Sequence, residues 1–301
     1  MTYQIGVDGG GTKTEAILVD SSGAIIARHL GPGCNPSVVG PEQARLLVTD
    51  ALCALLADAK AKNPGAKISA MQIYAAGASG FWQEFAASLK DFGRVSAAAD
   101  SLPVLELATD GAPGLVLHAG TGSFVAARGL DGAVHYAGGI GWRFGDPGSG
   151  YELGRRAIAR ALLELQGWQP ATRLATLVRD HTQLGDAADA ASVTRYFYQH
   201  AEPNRIIAAL APAVLRLASE GDPTALALVV ESAAELLTLA TRVATKLFSA
   251  TPLDTVRAGL SGALLTHSLV LAALASRSPL ALTTITEPHI EGVRRLLART
   301  A

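Results

Sequence analysis

The feature that most constrains this chain is a pattern that occurs twice. An apolar run ending in Asp8 meets Gly9, Gly10 and Gly11, then Thr12, Lys13 and Thr14, and a second apolar run follows at once to Asp20. Further along, 115–119 read as a strand, Gly120, Thr121, Gly122 and Ser123 make a second tight glycine and hydroxyl turn, and 124–128 return as a strand. A third strand follows in each copy. Asp20-Ser21-Ser22-Gly23 turns the chain into 24–30, and Asp131-Gly132 turns it into 133–137. Helix-like stretches come next, 41–62 and 151–166. Each copy then has a strand–glycine–helix element, 68–76 with Gly77 and Gly80, and 254–258 with Gly259 and Gly262. A duplicated α/β fold with a nucleotide between its halves accounts for this arrangement with few assumptions.

Glycines allow backbone N–H groups to approach an anion that side chains would hold off, so both turns read as phosphate cradles. Two other phosphate motifs are excluded. Gly6 to Gly11 has the first spacing of a Walker loop, but Thr12 stands where its lysine belongs. A dinucleotide loop needs a helix after its glycines, whereas 14–20 is rich in strand formers.

These motifs resemble those of the actin, hexokinase and heat-shock-chaperone ATPase superfamily. Within it the chain resembles the BadF/BadG/BcrA/BcrD group, which contains N-acetylglucosamine and glucosamine kinases. Asp8-Gly9-Gly10-Gly11-Thr12-Lys13-Thr14 matches the first phosphate motif and Gly120-Thr121-Gly122-Ser123 the second. The run 138–150 matches a G-G-x-G-x-x-x-G-D-E-G-S-G segment, and Ala258-Gly259-Leu260-Ser261-Gly262 an adenosine-side loop. The resemblance implies an actin-like (ribonuclease H-like) duplicated fold, with two lobes of mixed sheet flanked by helices around a central cleft. The expected N-terminal lobe is 1–112 with a C-terminal helix at about 287–299 crossing back onto it, and the other lobe is 113–286. The implied reaction is phosphoryl transfer from MgATP to an amino sugar, N-acetylglucosamine to its 6-phosphate, with glucosamine or another amino sugar as the alternative.

Such a reaction needs a base at the accepting hydroxyl, a metal to screen phosphate charge and donors that hold the phosphates in line. Asp100 is the candidate base. It follows the strand-like run 94–99 and opens the helix-like run 101–108, at a strand end where α/β sheets expose catalytic groups. An Asp there also suits a helix N-cap, and both roles can hold together. Asp110 in Thr109-Asp110-Gly111 reads as a turn residue instead. Asp8 beside a triphosphate calls for a cation and is assigned to Mg²⁺, through water. Lys13 could reach phosphate or stay solvated. The family match implies sugar contacts at Asn35, Asp100, Thr121, Gly139, Ile140, Asp146 and Gly150, and adenosine contacts at Gly259, Ser261 and Gly262. Two positions depart from the family pattern: Pro147 replaces the usual glutamate, and Ile140 replaces a frequent aromatic. Trp82, Trp142 and His118 read as packing residues.

The 301 residues suit two medium domains. A net charge of −1 gives no basic field for nucleic acid. Charged residues make up only 17%, which suggests buried surface and an oligomer, and the long apolar run 224–248 points to a homodimer. Run 224–248 is apolar enough to suggest a membrane span, but Glu231, Glu235, Arg242 and Lys246 mark it as an amphipathic helix of a soluble core. Run 181–204 is polar and mixed and is expected to loop over the surface. Strand one starts within a few residues of Met1, so no leader is expected, and a reduced cytoplasm is the expected location. Cys34 and Cys53 fit no zinc spacing and no paired cluster ligation, which disfavours an electron-transferring ATPase that activates a dehydratase. A sugar-sensing repressor would need a DNA-reading module, and none is legible.

Overall fold

A computed structural model describes residues 2–299. Contacts divide the chain into two compact units, one running to Asp110 and resuming at Thr286, the other spanning Gly111–Ile285.

The first unit contains β1 (Thr2–Gly9), β2 (Lys13–Asp20), β3 (Ile25–Pro32), α1 (Pro36–Val39), α2 (Pro41–Lys62), β4 (Lys67–Ala75), α3 (Ser79–Ser88), β5 (Arg94–Ala99) and α4 (Ser101–Thr109). The second contains β6 (Gly114–Ala119), β7 (Ser123–Arg128), β8 (Val134–Gly138), α5 (Gly150–Leu165), α6 (Arg173–Thr182), α7 (Ala190–Gln199), α8 (Pro203–Ala208), α9 (Ala211–Ser219), α10 (Pro223–Leu247), β9 (Arg257–Ser261), α11 (Ser268–Ala275) and β10 (Ala281–Thr284). The chain then returns to the first unit as α12 (His289–Arg299).

The two sheets have one topology. Their orders are β3-β2-β1-β4-β5 and β8-β7-β6-β9-β10, so each strand of the first has a counterpart in the second. The first three strands of each set are antiparallel and the last two join in parallel. A strand with both faces covered reads as continuous apolar sequence, and this explains the unbroken runs around each glycine turn. In the first unit Ile5, Val7, Ala16 and Leu18 pack with Val48, Leu52 and Leu55 of α2. The alternate residues Ile17 and Val19 pack with Ile290, Val293 and Leu297 of α12. Each fully buried aliphatic side chain here contributes about 1.5–3 kcal/mol. In the second unit α10 presents Val229, Ala233, Leu236 and Ala240 to the core, against β6 and β7. It is long and apolar enough to cross a membrane by length and composition, and Asp222 caps it by accepting from the Thr224 and Ala225 N–H groups.

Run 181–204 corrects the expectation of a surface loop. It holds the end of α6, all of α7 and the start of α8. Asp189 caps α7 through the Ser192 N–H at 2.8 Å, and Val193 and Phe197, one turn apart, enter the core. The polar composition belongs to the outer face of an amphipathic helix.

Candidate functional site

In the first unit the candidate residues gather at the carboxyl ends of β1, β4 and β5. Asp8 pairs with Glu15 and Gly9 with Thr14 across the first hairpin, which the Gly10 N–H closes by donating to the Lys13 carbonyl at 2.9 Å. Gly11, Thr12 and Lys13 are exposed at its tip. The loop after β3 braces it, with the Cys34 N–H donating to the Gly10 carbonyl at 3.1 Å. Gly33 lies so close beneath that a Cβ there would fall 2.3 Å from the Gly11 oxygen. Lys13 keeps its Nζ 3.5 Å from Glu15, which also accepts from Arg28 at 2.6 Å.

Asp8 is buried. That burial pushes its carboxyl up to about 7, against the pull of Lys13 and with added repulsion from Asp100 and Glu15. Asp100 stands directly after β5 and is also raised, chiefly by burial, with the N–H groups of residues 100 and 101 opposing. It occupies the N-cap position of α4 with helical φ and ψ, yet its side chain makes no capping bond. Of the two roles open in sequence, capping is therefore not the one its carboxylate performs. Asn35 does cap a helix, its Oδ1 accepting from the Ser37 N–H at 3.0 Å. It lies beside Gly77 at the end of β4. Asp110 ends α4 in the left-handed region (φ 49°) and accepts from Arg299 at 2.9 Å, as befits a turn residue. Cys34 is buried under the hairpin, and Cys53 is exposed on α2. Trp82 is core, its Nε1 donating to the Ala76 carbonyl.

In the second unit Gly120-Thr121-Gly122 turn tightly, the Gly120 N–H donating to the Gly122 carbonyl at 2.9 Å. The start of α5 staples this turn, since the Gly150 and Tyr151 N–H groups donate to the Gly120 and Thr121 carbonyls at 2.8 and 3.2 Å. Ser123 Oγ donates to the Pro147 carbonyl at 2.6 Å, which ties the hairpin to the glycine-rich segment. Asp146 therefore lies against the hairpin. Its Oδ2 would be 2.9 Å from a Cβ on Gly122, and its Oδ1 accepts from the Gly141 N–H at 3.2 Å. Burial raises the Asp146 carboxyl, and the Gly141 N–H opposes this. Gly139 adopts φ +60° and Ile140 is exposed. Trp142 and Tyr151, ring centroids 5.4 Å apart, line a cavity of about 600 Å³ that Asp146, Arg143, Phe144 and Arg155 also reach.

The adenosine-side loop needs one correction. The strand expected at 254–258 is β9, Arg257–Ser261, displaced toward the C-terminus. Gly259 is thus a mid-strand residue, opposite Val116 and Thr283, and not part of a turn. Pairing with β6 fixes this register, and no local signal in 254–258 encodes it. Ser261 ends the strand, buried, with His118 Nδ1 3.2 Å from its hydroxyl. Gly262 makes the turn at φ +92°, with an ideal Cβ only 2.1 Å from the Ala119 oxygen, directly before the hairpin. Gly120–Ser123 and Gly262 thus lie together at the carboxyl ends of the neighbouring strands β6 and β9. Sequence reading missed the Gly33–Cys34 brace and the Ser123–Pro147 tie, because each joins residues whose partners lie elsewhere in the chain.

A model of the BadF/BadG/BcrA/BcrD ATPase family matches residues 5–277. An N-acetyl-D-glucosamine kinase of Dictyostelium discoideum is 27% identical over 256 residues, which cover 81% of this chain and 79% of that protein. An N-acetylmuramic acid/N-acetylglucosamine kinase of Clostridium acetobutylicum is 26% identical over 241 residues, covering 78% of this chain and 77% of that protein. Among solved structures, a Chromobacterium violaceum protein provisionally named an N-acetylglucosamine kinase superposes with a TM-score of 0.78 at 28% identity, covering 98% of each chain. The fold class expected from sequence, an actin-like α/β fold built twice, is the one found. With the match running across nearly all of its length, the chain belongs to the BadF/BadG/BcrA/BcrD ATPase family.

Proposed function

We propose that this chain is an ATP-dependent sugar kinase acting on an amino sugar, with N-acetylglucosamine as the acceptor and N-acetylglucosamine 6-phosphate and ADP as products. The observation that carries the reading is Asp100. It is a half-buried carboxylate at a strand end, its side chain makes no capping bond, and burial raises its carboxyl above the ordinary value.

In the reaction Asp100 accepts the proton of the sugar 6-hydroxyl as that oxygen bonds to the γ-phosphorus. The bond from the γ-phosphorus to its bridging oxygen breaks, and ADP leaves with the electron pair. The open backbone of Gly9–Thr12 and of Gly120–Ser123 donates N–H groups to phosphate oxygens, with Thr14 and Lys13 beside the first turn. Asn35, Thr121, Gly139, Ile140, Asp146 and Gly150 hold the sugar, Asp146 by charge-assisted bonds to a hydroxyl pair. Asp8 fits a cation, because a buried carboxyl at about 7 beside Asp100 and Glu15 is only partly compensated by Lys13. Among the described residues no group of three metal-ligating side chains is assembled, so Mg²⁺ would keep water and phosphate oxygens as ligands. Bound there, Mg²⁺ would screen the phosphate charge.

The test is ADP release by purified protein across N-acetylglucosamine, glucosamine, N-acetylmuramate and glucose, with a sugar-free control. We expect release that depends on an amino sugar and is fastest with N-acetylglucosamine. Asp100→Asn should lower kcat about 10²–10⁴-fold, the range for a general base. ADP release indifferent to every sugar, or an Asp100→Asn enzyme with normal turnover, would reject the proposal.

A further inference from the structure

Alternation along β6 and β7 sends Leu117, Ala119, Val125 and Ala127 into the core of the second unit. His118 and Phe124 therefore project from the other face of the sheet, where Tyr136 of the edge strand β8 joins them. The three rings stack in a row. His118 and Phe124 have centroids 5.0 Å apart, Phe124 and Tyr136 5.3 Å, with interplanar angles of 26° and 27°. One end of the row lies at the second glycine turn: His118 Nδ1 is 3.2 Å from the Ser261 hydroxyl, and its Nε2 would be 3.3 Å from a Cβ on Gly120. The other end covers the glycine-rich segment. A Cβ on Gly139 would fall 2.7 Å from two ring carbons of Tyr136, and closer still to its hydroxyl.

That segment needs something to hold it. Gly138, Gly139 and Gly141 adopt φ of +71°, +60° and +88°, and Gly139 and Ile140 are exposed. Glycine loses more backbone freedom than any other residue when it is fixed. A ligand binding here must supply that ordering free energy unless the protein has already done so. An aromatic side chain laid across an edge glycine restores part of the missing rigidity. The position of Gly139 is then passed on, because the Gly141 N–H two residues later donates to Asp146 Oδ1 at 3.2 Å.

We propose that Tyr136 is a positioning residue for the acceptor: its ring, backed by Phe124 and His118, fixes Gly139 at the sheet edge and, through Gly141, the carboxylate of Asp146 before the sugar arrives. The row also sets this segment against Gly120, so that acceptor segment and glycine turn share one frame within the second unit. The inference rests on the amino-sugar reading above and adds a residue that acts through its neighbours, without touching the reacting atoms.

The test joins steady-state kinetics with N-acetylglucosamine and ATP to hydrogen exchange of the full chain without substrates. Tyr136→Ala should raise the acceptor KM about tenfold, the equivalent of fixing the backbone of one residue, and leave the ATP KM within about twofold. Its thermal midpoint should change little, because Tyr136 is half exposed. Tyr136→Phe keeps the stack and should hold the acceptor KM within about threefold of wild type, the loss of one hydroxyl. Phe124→Leu removes the ring beneath Tyr136 and should also raise the acceptor KM, and Tyr136→Ala added to it should raise it little further. The Gly141 amide should exchange about tenfold faster in Tyr136→Ala than in wild type or Tyr136→Phe. An unchanged acceptor KM, an equal rise in both KM values, or a Tyr136→Phe protein as impaired as Tyr136→Ala overturns the assignment. Unchanged exchange at Gly141 does so as well, and it can be read even if wild type phosphorylates no amino sugar, the separate outcome that removes the acceptor reading itself.

Discussion

The contact between Gly262 and Ala119 makes a quantitative prediction about how one glycine holds the second phosphate turn. In Gly262→Ala the new Cβ would lie 2.1 Å from the Ala119 oxygen and 2.6 Å from its carbonyl carbon. Real Cβ contacts essentially never fall below 3.0 Å, so the ends of β6 and β9 must part by about 1 Å. The backbone at φ +92° adds left-handed strain for alanine of about 1–2 kcal/mol. Overpacking adds about 1–3 kcal/mol, for a total of about 2–5 kcal/mol. At about 2–4 °C per kcal/mol for a unit of this size, the thermal midpoint should fall by about 5–15 °C. A displacement of about 1 Å at a phosphate cradle is worth on the order of 10²-fold in kcat/KM for ATP. Gly11→Ala is the matched control. No atom lies within 4 Å of a Cβ there, and Gly11 is exposed at its hairpin tip. Its thermal midpoint should stay within the range of surface substitutions, about 0.5 kcal/mol, while the KM for ATP rises because the methyl group obstructs the phosphate. Calorimetry and a coupled ADP assay read both quantities. A Gly262→Ala protein that melts and binds ATP like wild type would refute the strand-end argument. A Gly11→Ala protein that loses stability while its ATP kinetics stay normal would make the first turn a structural feature only.

Three further outcomes follow from named contacts. The Asp8 carboxyl, ordinarily near 3.8 and here about 7, binds its proton more tightly folded than unfolded, so metal-free wild type loses stability as pH rises between those values. Asp8→Asn should escape that loss and be more stable by up to about 4 kcal/mol above pH 7, a gap that Mg²⁺ with ADP narrows and that urea titrations from pH 4 to 8 can trace. A gap equal at both ends would show the carboxyl to be well solvated. Arg299→Ala removes the guanidinium that donates to the fully buried Glu106 at 2.7 Å and should cost about 3–5 kcal/mol, with Glu106→Gln added to it restoring part. Urea unfolding of the single and double variants checks this, and a double variant no better than the single would contradict it. Ser123→Ala breaks the 2.6 Å tie to the Pro147 carbonyl and should cost about 1–3 kcal/mol while raising the acceptor KM more than the ATP KM. An unchanged acceptor KM in steady-state assays would separate that tie from sugar binding.

The sequence by itself determined the local elements and their doubling. Glycine turns between apolar runs specify hairpins, and the same order of strands and helices in both halves specifies two sheets of one topology. Asp8 and Asp100 could be singled out because a strand end is recognisable from the residues on either side of it. Run 181–204 reads as a polar loop because an amphipathic helix with few apolar positions looks like one in sequence, and only the packing of Val193 and Phe197 into the core separates the two. What only the tertiary structure decided are the features set by pairing across the chain. The register that puts Gly259 inside β9 comes from β6, the brace under the first turn from Gly33 and Cys34, and the isolation of His267 Nδ1 from the packing around α9 and α11. The physical reason is range: periodicity and turn chemistry act over a few residues, while a strand's register, a loop brace and a buried atom's lack of a partner depend on neighbours from tens to more than a hundred positions away.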